Sequence, residues 1–232
     1  TPDRVYVTLA IDQPLVAIDA ATGETLITYN ETKTTEEVIQ VGDTLLAVVS
    51  DEPWELSQYA PQAGTVGDQG RVAREHEWNR KPRRIVAVDA KTGKVKWQKE
   101  TLVAPLTLSS NNQQVLFFDT EHVVCLDIND GYQVWKSDKA GTRSKYNFNF
   151  GPKLVVYKDV VLFAGGDRKM HAYDLVSGKE RWSTEHERGG YLSPEDLLVS
   201  GGLIWSAPLT SGRDSGVWRG RDPSTGGVKQ AY

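Results

Sequence analysis

The stretch that decides the fold is Ala87-Val88-Asp89-Ala90-Lys91-Thr92-Gly93-Lys94-Val95-Lys96-Trp97. An apolar strand ends at Asp89, whose short carboxylate can accept hydrogen bonds from the backbone amides just ahead and so start a tight turn. Gly93 supplies the positive φ that closes the turn. A second strand then begins, and Trp97 is fixed to one face of it by the period of two. A large flat ring at such a place suits packing between neighbouring sheets.

The skeleton Ala-x-Asp-x-x-Thr-Gly-x-x-x-Trp has four relatives along the chain. The first copy is Ala17-Ile18-Asp19-Ala20-Ala21-Thr22-Gly23, with Ile27 where tryptophan is expected. The third, Cys125-Leu126-Asp127-Ile128-Asn129-Asp130-Gly131, ends at Trp135, and the fourth, Ala172-Tyr173-Asp174-Leu175-Val176-Ser177-Gly178, ends at Trp182. The fifth is Gly220-Arg221-Asp222-Pro223-Ser224-Thr225-Gly226, with Gln230 at the tryptophan position. Successive aspartates stand 70, 38, 47 and 48 residues apart. A four-stranded propeller blade takes roughly 40–50 residues, so three intervals fit and the long one holds an insertion of about 30. No segment shows a sustained apolar period of 3.6 residues at helix length.

Further strands fill each blade. Val5–Leu9, Leu45–Val49, Val115–Phe118, Val160–Phe163 and Leu203–Trp205 each precede a motif. Glu37–Val41, Leu106–Leu108 and Lys153–Tyr157 read as opening strands. Gly42-Asp43, Asn111-Asn112, Lys158-Asp159 and Gly201-Gly202 punctuate the hairpins. The expectation is an all-β chain, residues 1–232 forming one propeller segment of about five four-stranded blades. The first blade lacks its opening strand, giving about nineteen strands where five full blades need twenty.

The repeat unit resembles that of pyrroloquinoline-quinone (PQQ) dehydrogenases and their non-catalytic relatives, among them the propeller of the outer-membrane protein assembly lipoprotein. The resemblance covers nearly the whole chain apart from the insertion. It implies that the motif docks one blade on the next, through Asp19, Gly23, Asp89, Gly93, Trp97, Asp127, Gly131, Trp135, Asp174, Gly178, Trp182, Asp222 and Gly226. It also implies closure with about seven or eight blades, so this chain would be an arc of a larger ring. An open arc exposes apolar faces and strand edges. Contacts are therefore expected at both ends, with the rest of a parent chain or with a second copy.

Composition narrows function. With 27 basic and 31 acidic residues the net charge is −4, which argues against general nucleic-acid binding. The basic run Arg80-Lys81-Pro82-Arg83-Arg84 reads as a solvated loop entering a strand, with anion binding as the alternative. The single cysteine, Cys125, lies in an apolar strand and reads as a small buried hydrophobe. No run of apolar residues is long enough for a membrane helix. The chain opens at Thr1, so any export signal is expected upstream. An exported, periplasmic or cell-surface address is what the family resemblance implies.

The motif carboxylates Asp89, Asp127 and Asp174 are better explained by turn formation than as acids or metal ligands, because the same residues recur in every blade. Binding of PQQ with Ca²⁺ is the sharper alternative. It needs an aromatic floor, several cationic side chains and a set of oxygen ligands for calcium. Adjacent cysteines, which cover one face of the cofactor in the alcohol-dehydrogenase branch, are impossible with one Cys. The histidines His76, His122, His171 and His186 form no paired ligand motif. No catalytic residue, metal or cofactor is expected for this segment.

The insertion, 51–82, is polar and aromatic. Long loops in compact domains are functional or disordered. Trp54, Tyr59 and Trp78 are anchors that a disordered linker would not need, and together with His76 and Arg80 they mark a lid or partner-binding loop. Deleting residues 55–80 is expected to leave the fold intact. A second loop carries Arg213, which could meet an anion. Three readings of function follow. The first is a non-catalytic binding or scaffold module. The second is part of a PQQ-dependent dehydrogenase for alcohols or sugars. The third is an accessory propeller of a multidomain bacterial protein.

Overall fold

The computed structural model describes residues 2–10, 12–52, 78–140, 152–165, 169–186, 197–206 and 217–232. Among the described residues nineteen strands form five antiparallel sheets, each running in chain order from its inner to its outer edge. Blade one holds β1 (Arg4–Thr8), β2 (Leu15–Asp19) and β3 (Thr25–Tyr29). Blade two holds β4 (Thr35–Val41), β5 (Thr44–Val49), β6 (Arg83–Asp89) and β7 (Val95–Thr101). Blade three holds β8 (Ser109–Ser110), β9 (Gln114–Phe118), β10 (Val123–Asp127) and β11 (Gln133–Lys136). Blade four holds β12 (Lys153–Tyr157), β13 (Val160–Ala164), β14 (Lys169–Asp174) and β15 (Glu180–Glu185). Blade five holds β16 (Leu198–Ser200), β17 (Leu203–Ser206), β18 (Arg219–Arg221) and β19 (Val228–Ala231).

The burial of each strand follows from stacking the blades face to face. A middle strand has a neighbour blade on both faces, so every residue of β5 and β13 is buried and, Thr44 apart, the sequence there is a continuous apolar run. On β5, Leu45, Ala47 and Val49 enter the layer shared with blade one, while Leu46 and Val48 enter the layer shared with blade three. Outer strands such as β7 keep one inward residue, Trp97, and expose most of the rest. The core is thus a series of inter-blade layers and not one central cluster.

One strand differs from the sequence expectation. Leu106–Leu108 is not the opening strand of blade three, which is the two-residue β8. Pro105 has no amide to give to a ladder. Leu106 takes a positive φ of 59°, and the Thr107 hydroxyl bridges the Ala104 carbonyl and the Phe118 amide. The segment is a hydroxyl-fastened turn.

Candidate functional site

The motif turns are built alike. Asp19 Oδ1 accepts the amides of Ala21 and Thr22 at 2.9 and 2.8 Å, and Asp89 Oδ1 those of Lys91 and Thr92 at 3.0 and 2.8 Å. Asp174 repeats this with Val176 and Ser177, and Asp222 with Ser224. The glycine then donates back to the aspartate carbonyl, at 2.8–3.0 Å in all five copies, with φ between 70° and 76°. Ionised oxygens serve these bonds best. The Thr22 amide holds the Asp19 carboxyl below its ordinary range, the Thr92 hydroxyl does so for Asp89, and the Arg181 guanidinium for Asp174.

The tryptophans then lock the blades. Trp97 Nε1 donates to the Ile128 carbonyl at 2.7 Å, Trp135 to Leu175 at 2.9 Å, and Trp182 to Pro223 at 2.9 Å. In each case the acceptor is the residue after the aspartate of the next blade. The ring lies flat on that blade's glycine, where a Cβ at Gly131, Gly178 or Gly226 would stand under 3.0 Å from it. The glycine is therefore required twice, for its φ and for the ring.

Between blades one and two the tryptophan is missing, and Tyr29 takes its bond. Its hydroxyl donates to the Ala90 carbonyl at 2.6 Å, while Ile27 fills the space over Gly93. Burial pushes the Tyr29 phenol up to about 12, so the donor is kept. The sequence skeleton does not flag Tyr29, which lies two residues beyond the motif. The one available signal is that it accompanies a tryptophan-less copy.

The root of the insertion is the second constellation. Arg83 is fully buried and grips Glu36 with two parallel bonds of 2.9 and 3.0 Å. Its remaining arm reaches the Asn79 side chain at 2.6 Å and the Lys81 carbonyl at 2.8 Å, and its plane lies 5.2 Å over the Trp78 ring. Arg84 pairs with Asp51 at 2.9 Å, and Lys81 pairs with Glu52. Residues 80–82 are a solvated stretch leading into β6, but Arg83 is buried, and Lys81 and Arg84 tie the two ends of the insertion together through Glu52 and Asp51, so the run is not solvated throughout. Arg80, at a positive φ of 53°, Lys81 and Pro82 are exposed.

Trp78 is corrected likewise. It is 2% exposed and packs in the layer containing Ala104 and Phe118, so it is an internal anchor and not a contact offered to a partner. A deletion through residue 80 would remove it and Asn79 from beneath Arg83. Such a deletion is therefore expected to cost stability, against the expectation that it spares the fold. Trp54, Tyr59, His76 and Arg213 lie outside the described residues, as does most of the 51–82 segment.

Beside the clamp, Glu37 points between blades two and three. Burial pushes its carboxyl up to about 7, against the pull of the Leu108 amide 3.4 Å away, the Leu106 amide and the Lys153 charge. Cys125 is buried and its thiol is pushed up to about 12, so it is an inert core residue and not a nucleophile. Among the described residues no three His, Cys, Asp or Glu side chains converge as a metal site requires.

Comparison with known proteins agrees with this geometry. The family model described as "Outer membrane protein assembly factor BamB" matches residues 1–120 and 119–226. The quinoprotein alcohol dehydrogenase PedH of Pseudomonas putida is 28% identical over 163 residues, which cover 62% of this chain and 26% of that protein. Among solved structures, BamB from Moraxella catarrhalis superposes with a TM-score of 0.57 at 17% identity, covering 98% of this chain and 66% of that one. The quinohemoprotein alcohol dehydrogenase ADHIIG from Pseudomonas putida HK5 gives 0.58 at 14% identity, covering 100% of this chain and 40% of the other. The chain therefore spans about a quarter of the curated relative and less than two thirds of either solved propeller.

Proposed function

Because the chain belongs to the PQQ-like repeat family of the outer-membrane protein assembly factor BamB, we propose that it is a non-catalytic propeller module that presents its loops to a protein or small-molecule partner. The observation that carries this reading is where the motif's chemistry goes. The Asp carboxylates are spent on turn amides and the Trp indoles on neighbouring carbonyls. What remains for recognition is the connecting loops on a rigid frame. An extracytoplasmic place of work and a protein partner are carried over from the family's description as part of the proposal.

The match to PedH favours a second reading, a share in a PQQ-dependent dehydrogenase. That cofactor, when bound, would accept a hydride from an alcohol or sugar and needs calcium ligands beside it. Among the described residues no three His, Cys, Asp or Glu side chains converge, which supports the module reading over this one. Calorimetric titration of the chain with PQQ, with and without Ca²⁺, separates the two readings. The module reading expects no saturable heat in either condition. One-to-one binding that requires Ca²⁺ would overturn it and lead to oxidation assays with alcohols and aldoses.

A further inference from the structure

Four of the five blades close their motif-turn end with the same backbone bond. The residue after the motif aspartate donates its amide to the carbonyl of the residue just before β1, β5, β9 or β13. Ala20 donates to Asp3, Ala90 to Asp43, Ile128 to Gln113 and Leu175 to Asp159, all at 2.9–3.0 Å. Blade five cannot make this bond. Pro223 stands at the donor's place and has no amide. The residue before β17 is Gly202, where the other blades have Asp or Gln. Gly202 takes a φ of 80°, in the left-handed region that Asp3, Asp43, Gln113 and Asp159 all avoid.

An amide and a side chain are thus both missing at one spot, and a cavity of about 180 Å³ lies there between blades four and five. Tyr157, Lys158 and Val160 of blade four line it, facing Gly202, Asp222 and Ser224 of blade five. The Tyr157 hydroxyl is 3.9 Å from where a Cβ on Gly202 would stand. The seam between blades three and four is bridged instead. There Gln114 holds the register place of Val160, and its side-chain amide reaches the Leu175 carbonyl at 3.3 Å. Val160 has no polar atom with which to do the same.

The charges around the cavity are already matched. Asp159 is held by Arg181 at 2.7 Å, Asp222 lies 3.9 Å from the Lys229 ammonium, and the Lys158 ammonium rests 5.2 Å over the Tyr157 ring. The cavity therefore favours an uncharged ligand held by hydrogen bonds. The Gly202 carbonyl and the Asp222 carboxylate accept, Lys158 donates, and the Tyr157 and Ser224 hydroxyls can do either. The volume equals roughly six water molecules at about 30 Å³ each. It falls below the about 300 Å³ at which pockets for drug-sized ligands begin. A small neutral frame carrying donors and acceptors side by side is a sugar ring.

We propose that the seam between blades four and five binds one pyranose ring, as a free monosaccharide or as the terminal unit of a glycan. One ring hydroxyl donates to the Gly202 carbonyl in place of the missing amide. Another donates to the Asp222 carboxylate, and a third accepts from Lys158. The ring is bound and none of its bonds changes. The site lies at the opposite end of the blades from the insertion, which joins β5 to β6, so it goes beyond the loop face of the module reading.

Titration of the ¹⁵N-labelled chain with glucose, galactose and N-acetylglucosamine, followed by amide chemical shifts, tests this. High millimolar concentrations are needed, because so small a ligand makes few contacts. At least one sugar should give saturable shifts centred on residues 157–160, 202 and 222–224. Pro223→Ala installs the residue that blades one and two carry there and returns the amide to the turn. It should weaken binding about tenfold or more by occupying the Gly202 carbonyl. Tyr157→Phe removes one hydroxyl and should weaken binding about fivefold. The spectrum of each variant reports its folding directly. No saturable shift with any of the three sugars, shifts centred elsewhere, or parental affinity in both variants overturns the proposal. Saturable binding of free glycine at these residues, with none for the sugars, also overturns it and assigns the cavity to a zwitterion. None of these results bears on the PQQ titration, so either reading can fail while the other stands.

Discussion

Glu37 shows how one residue carries a cost that its neighbours only partly relieve. The carboxyl is buried between two blades, where desolvation favours the neutral form, and nearby Glu36 pushes the same way. The Leu108 and Leu106 amides and Lys153 favour the charged form but do not win. The unfolded chain titrates near the ordinary 4.5 and the folded one near 7, so the folded state holds the proton more tightly. Its contribution is complete below the unfolded value and is lost as pH climbs through the folded one. Between about pH 5 and about pH 9 stability should fall by up to about 3 kcal/mol from this group. Glu37→Gln should flatten that slope, measured by urea unfolding at each pH. The motif carboxylates run the other way, but they stay ionised across this window and do not blur the result. A variant with the parent's slope would place the titration elsewhere.

At the scale of an element, the insertion's root separates two kinds of ion pair. Arg83 is wholly buried and four-fold bonded, so truncating it strands Glu36 in a dry place. Arg83→Ala should cost about 3–5 kcal/mol. Arg84 pairs with an exposed Asp51, and Arg84→Ala should cost about 1 kcal/mol or less. Chemical denaturation of both variants checks the contrast, and equal losses would refute it. The four arginines and lysines of this run looked alike in sequence because the fates of Lys81, Arg83 and Arg84 depend on Glu52, Glu36 and Asp51, which lie more than 28 residues away. The motif turns were legible for the opposite reason. Asp89, Thr92 and Gly93 meet one another within the turn itself, so local chemistry settles them. Trp78 and Tyr29 were misread or missed because each belongs to a layer that exists only once two blades meet. The short β8 was misplaced because Leu106-Thr107-Leu108 alternates like a strand while Pro105 and the Thr107 hydroxyl bend it into a turn.

For the whole molecule, the stacking of apolar layers makes stability a chain of nearest-neighbour terms, as in other repeat folds. Blade three touches blade four through Trp135 on Gly178 and through Phe118 against Phe163, whose rings are 4.5 Å apart. Among the described residues the seam between blades four and five keeps the smallest buried cluster. Amide hydrogen exchange should therefore show the seam between blades four and five opening before the seams among blades two to four. Trp135→Ala removes an indole, its bond to Leu175 and the cover of Gly178, at about 3–5 kcal/mol. Because that seam lies in the middle of the stack, the loss should also uncouple the two sides. Exchange in blades four and five should then rise much more than in blades one and two, and thermal unfolding should broaden or split. A uniform rise in every blade would mean that the arc unfolds as one cooperative body and that the seams are not its units of stability.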